Sequence, residues 1–429
     1  MAIQLKAYKF RLYPTPDQET LLNKTFGCVR FVWNKLVENF NSWNPDFIPP
    51  RLDSKILKDN PEFSFLNEVS AGALQQKNND FLDFKKQYFN KSRKKKLGKP
   101  NFKNKKSRQS YRLPGKKFTF NQESSTIRIE KIGKVSIRLD QKIPEDAEYR
   151  SVTISKNPSG KYFASILVKI NIEPKPLTGK MVGIDLGSKD LVILSDGKTK
   201  VKNPKYYREN QAKLKRAQQH LSRKQKESSR RNLQRIKVAR IHEKIANKRK
   251  DLLHKTSIEL VTNFDIICVE DLNVAGMVKN RKLSKSIHDA SWASFMIMLE
   301  YKCNWYGKTL VKIDQFYPST KLCGHCGYKL KEIDLDTREW QCPECRTFHD
   351  RDINAAKNIL AKGFSDLTGQ PIEFPGISEK PGSVESIEYR RGENVSGQLV
   401  VPVLDEASRT LFSTGFPTTP HIFTKSGRG

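Results

Sequence analysis

Apolar and polar residues alternate from Ile3 to Tyr13, the period of a strand, and Pro14 and Pro16 close it. The period then changes: from Asp17 onward, Leu21, Leu22, Phe26, Val29, Val32, Trp33, Leu36 and Phe40 share one broad helical face. Cys28 falls on that face as a small buried hydrophobe. A polar, proline-containing patch (NPDFIPPRLD) follows, and a second helical stretch runs from about Val69 through Leu74, Phe81, Phe84 and Tyr88. Between Phe118 and Ile172, short alternating runs separated by turns such as PSGK predict a small barrel or sandwich.

The tract NIEPKPLTGK reads as a linker into a second domain. There MVGIDLG and LVILSDG form two strands joined by a tight turn, opening an α/β unit. Pro204 to His254 is a long helical stretch or a helical hairpin, with sparse apolar anchors and no sustained heptad. FDIICVED is a nearly all-apolar run ending in acids, the pattern of a strand buried on both faces. Asp289 to Tyr306 and DRDINAAKNILAKG read as helices on either side of a cysteine-rich module at 321–346. Beyond Gly363 the chain is rich in Pro, Gly, Ser and Thr, which predicts a disordered tail over 363–429.

Charge adds a partner. The 429 residues carry 79 Lys+Arg against 46 Asp+Glu, a formal charge of +33. Such a surplus repels itself unless polyanions neutralise it, so nucleic acid is the leading partner and an anionic membrane the second. No run approaches the roughly 18–20 apolar residues that span a bilayer, and the start lacks the apolar core of a secretory signal. The protein is expected to stay where it is made.

The charge is unevenly laid out. Residues 90–117 hold thirteen Lys/Arg and no acid, interleaved with Phe102 and Tyr111, and 205–255 hold eighteen Lys/Arg against four acids. A charge run is often only a solvated segment, but these two suit contacts that track a phosphate backbone. Candidate contacts are Arg93, Lys94, Lys95, Lys96, Lys103, Arg108, Arg223, Lys224, Arg230 and Arg231.

Two sets of residues carry chemistry. Cys323, Cys326, Cys342 and Cys345 form two C-x-x-C pairs separated by fifteen residues, the spacing of a four-thiolate zinc ribbon. Four thiolates leave no open position, so such a zinc ion is structural; His325 and His349 are available as substitute ligands but not needed. The second set is acidic: Asp185 and Glu270 end apolar strands, and Asp350 and Asp352 begin a helix. Carboxylates at the ends of core elements can converge on a sheet edge, where Mg²⁺ or Mn²⁺ would relieve their repulsion and serve phosphodiester hydrolysis. Taken singly, Asp350 or Asp352 could be a helix N-cap and Glu270 a solvated strand end.

GIDLGSKD (183–190), VEDLN (269–273), PSTKLCGHCG (318–327) and HDRDINAAKNI (349–359) resemble, in this order, the signature motifs of the TnpB (OrfB) proteins of insertion sequences. The opening KFRLYPTPDQETLLNKTFGCVRFVWN is similar to that family's first segment, so the resemblance covers about residues 5–362. It implies an α+β multidomain protein. A β-barrel wedge (1–16 and 118–172) would carry a helical recognition lobe with its basic segment (17–117). A RuvC-like RNase H-fold nuclease domain (180–320 and 347–362, including basic helices 204–254) would carry the zinc ribbon (321–346).

The activity implied is RNA-guided, metal-dependent cleavage of double-stranded DNA beside a short adjacent motif, with a guide RNA made from the transposon end. Asp185, Glu270 and Asp352 would be the catalytic, magnesium-binding triad, and Gln75 a base-reading candidate. The implied assembly is a monomeric ribonucleoprotein with its target DNA, cytoplasmic and at the nucleoid. A guided repressor that binds without cleaving, and a transposase performing strand transfer, are the alternatives.

Overall fold

Strand β1 (Ala2–Tyr13) ends where Pro14 removes a ladder donor, and helix α1 (Pro16–Asn41) begins on a capping box. Thr15 and Gln18 each accept from the other's backbone N–H, and Pro16 occupies the first turn, where its missing N–H costs nothing. In this computed structural model residues 2–42, 50–93, 96–277, 289–334, 336–370 and 372 are described; Lys94, Lys95 and the chain after 372 lie outside them. Beyond the polar patch after α1, where the sequence assigns no element before Val69, the chain forms α2 (Ser54–Asp59), capped by Asp53, and a 3-10 segment (Pro61–Glu68). Helix α3 (Ala71–Tyr88) follows, and its Leu74 and Phe81 pack into the core that α1 shares with the first sheet.

That sheet contains β1, β2 (Gln109–Pro114), β3 (Phe118–Asn121), β4 (Thr126–Ile129), β5 (Gly133–Arg138), β6 (Glu148–Lys156) and β7 (Tyr162–Ile172). All neighbours are antiparallel, in the order β2-β6-β7-β1-β5-β4-β3. The two edge strands, β2 and β3, are joined by only the turn 115–117, so the sheet must curl until its edges nearly meet. Gly115 permits the close approach, since a Cβ there would lie 2.5 Å from the Tyr149 carbonyl oxygen. The result is one nearly closed sheet rather than a sandwich. It also recruits residues 109–114, which the charge pattern assigns to the basic segment.

The second sheet has β8 (Met181–Asp185), β9 (Asp190–Leu194), β10 (Lys200–Lys202), β11 (Ile266–Glu270) and β12 (Thr309–Ile313). Its order is β10-β9-β8-β11-β12; the first three strands are antiparallel, while β8, β11 and β12 run parallel. The basic stretch is a helical hairpin of α4 (Tyr206–Ser222) and α5 (Ser229–Asn263). A short turn of helix, α6 (Val274–Met277), follows β11, and α7 (Trp292–Tyr306) leads into β12.

Leu253, Leu260 and Val261 of α5 and Phe295 and Leu299 of α7 bury one face of this sheet; Ile359 and Leu360 of α8 (Arg351–Thr368) bury the other. Helix α8 continues past Gly363 to Thr368 and ends on Gly369 at φ +73°, so residues 363–368 of the expected tail are helical, while the tail beyond 372 lies outside the described residues. A two-stranded ribbon, β13 (Glu339–Gln341) with β14 (Phe348–Asp350), leads directly into α8 and so extends the cysteine module past 346. Strands β10 and β12 escape the alternation pattern because one is three residues long and the other, TLVKI, resembles a continuation of its helix.

Candidate active site and metal centre

Strands β8 and β11 pair in parallel with Ile184 opposite Val269, so Asp185 and Glu270 occupy the next position on neighbouring strands. Helix α8 crosses β8 at very short range. A Cβ on Gly183 would lie 2.1 Å from the Ala356 carbonyl and 2.7 Å from the Leu360 nitrogen, so only glycine admits the helix there. That contact brings the first turn of α8, with Asp352, to the same sheet edge.

The electrostatics record the convergence. Burial, then the charges of Glu270 and Asp352, push the Asp185 carboxyl up to about 7, opposed by Arg351. Burial also raises Glu270, opposed by the Ser319 hydroxyl, which donates to Oε1 at 2.5 Å. Asp352 meets two guanidinium groups, Arg338 Nη1 at 3.3 Å and Arg351 Nη2 at 3.1 Å. Asp350 is the helix N-cap, accepting from the backbone N–H groups of Asp352 and Ile353 and pairing with Lys200 at 2.6 Å. Of the two acids in DRD, therefore, the first starts the helix and the second faces the cluster. Sequence reading missed Ser319, Arg338 and Arg351, although Ser319 and Arg351 lie inside the motifs it singled out.

The four cysteines converge with all ligand atoms within 4.8 Å of one another, the one such group of metal-binding side chains among the described residues. Cys323 to Cys345 and Cys326 to Cys342 are each 3.6 Å between sulfurs. A tetrahedron with metal–sulfur bonds of about 2.3 Å has edges of about 3.8 Å, so the cluster fits a zinc-sized thiophilic ion. Burial raises Cys345, but hydrogen bonds with Thr347, Cys326 and Cys342 together bring the thiol down to about 6, which favours a thiolate at neutral pH. His349 lies outside the four-sulfur group: its Nε2 is 3.0 Å from Cys323 Sγ and its ring packs at a tilt against Trp340.

The basic candidates divide. Gln75, Lys96, Arg108, Arg223 and Arg230 are exposed, and Arg93 donates to Gln87. Lys103 is not a free cation: its ammonium sits 3.8 Å from the Trp33 ring centre, and burial lowers it to about 8. Arg231 is likewise engaged, donating to the Leu221 and Lys224 carbonyls to close the α4–α5 turn, with Lys224 half-buried beside it. Lys94 and Lys95 lie outside the described residues.

Three family descriptions match the chain: "Probable transposase" of the OrfB_IS605 type over residues 164–281, "Cas12f1-like, TNB domain" over 292–359, and "Helix-turn-helix domain" over 1–43. A Streptomyces pristinaespiralis protein named "Putative RNA-guided DNA endonuclease" is 41% identical over 84% of this chain and 90% of its own length. The chain belongs to the OrfB_IS605, or TnpB, family. An Escherichia coli relative, "Putative RNA-guided DNA endonuclease InsQ", is 31% identical over 90% of this chain and 99% of its own length. Among solved structures, a Cas12f1–sgRNA–target DNA complex aligns over 83% of this chain and 98% of its own, at 13% identity and a TM-score of 0.49. In this TnpB-family chain the described part of the helix-turn-helix match is one strand and one helix, β1 and α1. Among the described residues no helix is long and apolar enough to cross a membrane.

Proposed function

We propose that this chain is an RNA-guided, divalent-metal-dependent endonuclease of double-stranded DNA, encoded by a transposon and cutting at Asp185, Glu270 and Asp352. The observation that carries the reading is the shared edge of β8, β11 and α8, where Asp185 is pushed up to about 7 by burial and its two acidic neighbours. A half-buried group of carboxylates in which one member is pushed up this far is suited to a divalent cation. The named activity of two relatives aligned over most of their length supports the same reading. The strand order β10-β9-β8-β11-β12, antiparallel and then parallel, supports an RNase H-like, RuvC-type nuclease unit.

The residues fit divalent ions: the acids offer oxygen ligands only, the hard donors that Mg²⁺ and Mn²⁺ take. When bound, two Mg²⁺ ions would supply an activated water and stabilise the leaving oxygen. Asp185, Glu270 and Asp352 are the residues that would hold the ions, Asp185 as its carboxylate. Glu270 is held by Ser319, and Asp352 by its ion pairs with Arg338 and Arg351. The cysteine cluster holds structural zinc.

Guide pairing would provide sequence specificity, leaving the protein to grip backbones, which is what a +33 chain with Lys- and Arg-rich helices is suited to do. The exposed cations Lys96, Arg108, Arg223 and Arg230 are the contacts this assigns, with Gln75 on α3 as a base reader. The nearly closed sheet serves as the wedge and the α1–α3 region as the recognition lobe.

The deciding experiment copurifies the protein with RNA transcribed from its transposon end and presents plasmids with a matching target and a randomised flank. Mg²⁺- and guide-dependent cleavage, lost in Asp185→Ala while guided binding persists, is the expected result. Tight guided binding without cleavage by the native chain would identify a repressor, and RNA-independent end joining a transposase.

A further inference from the structure

Two asparagines in the interior of α8 are an unexpected use of a helix. Asn354 and Asn358 are 2% and 1% exposed, one turn apart on the face that meets the cysteine module, where apolar residues would pack at no polar cost. Both amides are engaged by backbone on either side of Cys323. Asn354 Nδ2 donates to the Leu322 carbonyl at 2.6 Å, and its Oδ1 accepts from the Gly324 N–H at 2.9 Å. Asn358 Nδ2 donates to the same Leu322 carbonyl at 2.7 Å and to the Ser319 carbonyl at 2.8 Å. Gly324 makes this possible, because a Cβ there would stand 2.8 Å from Asn354 Oδ1 and 3.0 Å from Asn358 Oδ1.

The chain of contacts ends on an acid. Ser319 is 4% exposed, and its hydroxyl donates to Glu270 Oε1. The first cysteine knuckle, the asparagine face of α8, Ser319 and Glu270 are thus one hydrogen-bonded unit, and the same helix carries Asp352 two residues before Asn354.

We propose that Ser319 is a positioning residue for the acidic centre, fixed by Asn358 to the first cysteine knuckle, so that the folded thiolate module sets the orientation in which Glu270 meets a divalent cation. The proposal rests on the nuclease reading above. Physically, Glu270 is half-buried with one oxygen engaged by protein among the described residues. Without the hydroxyl, the carboxylate regains rotamers that a cation must freeze out on binding.

The test uses the full-length protein with its guide RNA, as Ser319→Ala, Ser319→Thr and Asp185→Ala beside the native chain. Mn²⁺ binding is followed by electron paramagnetic resonance, cleavage by its cation dependence, and zinc by atomic absorption. Ser319→Ala is expected to keep its zinc and guided DNA binding, to bind Mn²⁺ about tenfold more weakly, and to need correspondingly more cation for cleavage. Ser319→Thr, which keeps the hydroxyl, should restore both. Native Mn²⁺ affinity in Ser319→Ala, or loss of zinc in both variants, would overturn the positioning role. If the native chain and Asp185→Ala bind Mn²⁺ alike and neither cleaves, the nuclease reading has failed, and the positioning role with it.

Discussion

Asp185 and Glu270 stand side by side at the ends of parallel strands, one step beyond the Ile184–Val269 pair, and their shared burial keeps a proton on Asp185 up to about pH 7. The sign of the pH dependence follows. A divalent cation binds the carboxylate, so below pH 7 it must first displace that proton, whereas above it there is none to displace. Apparent Mn²⁺ affinity should fall by up to roughly tenfold per pH unit below 7 and level off above it. Titrations between pH 5.5 and 8.5 would show this, and Asp185→Asn should flatten the slope; a flat profile in the native protein would contradict the assignment.

Gly183→Ala should separate α8 from β8, because the new Cβ would meet helix backbone that cannot swing aside. Overpacking of this kind costs about 1–3 kcal/mol or more. Denaturant unfolding should show that loss and cleavage should fall, while zinc stays bound, since the cysteine cluster is untouched.

Cys342→Ser removes one of four convergent sulfurs. Bound zinc should be lost, and hydrogen exchange should accelerate from 321 to 350 while β8 and β11 stay protected. Unchanged zinc content would rule out the four-thiolate site.

Two adjacent arginines should behave differently. Arg230 is exposed, so Arg230→Ala should weaken RNA binding and reduce the salt dependence of binding by about one counterion, with stability unchanged. Arg231 closes the α4–α5 turn through two carbonyls, so Arg231→Ala should cost about 1–2 kcal/mol of stability. Filter binding against salt, paired with thermal unfolding, separates the two.

Much of the site was legible in local pattern. The strand ends at Asp185 and Glu270, the helix start at DRD and the cysteine spacing are each set by a few neighbouring residues, and strand period, helix capping and thiolate spacing are short-range rules. Which acid of DRD caps the helix and which faces the cluster is not legible in local pattern, where both are aspartates; the family resemblance implies Asp352 for the cluster, and the helix's docking on Gly183 gives the physical distinction. The same holds for the basic residues. Composition marks Lys103 and Arg231 as readily as Arg108 and Arg230, yet Trp33 covers one and a helical turn engages the other.

The sequence by itself determined the chemistry available to this protein: an excess of cations, four thiolates and a few acids at the ends of apolar runs. Tertiary structure decided which of them meet. Asn354, Asn358 and Ser319 read as ordinary polar residues until packing removes water from them, and a buried polar group must then find a partner. Here those partners join the thiolate module to Glu270.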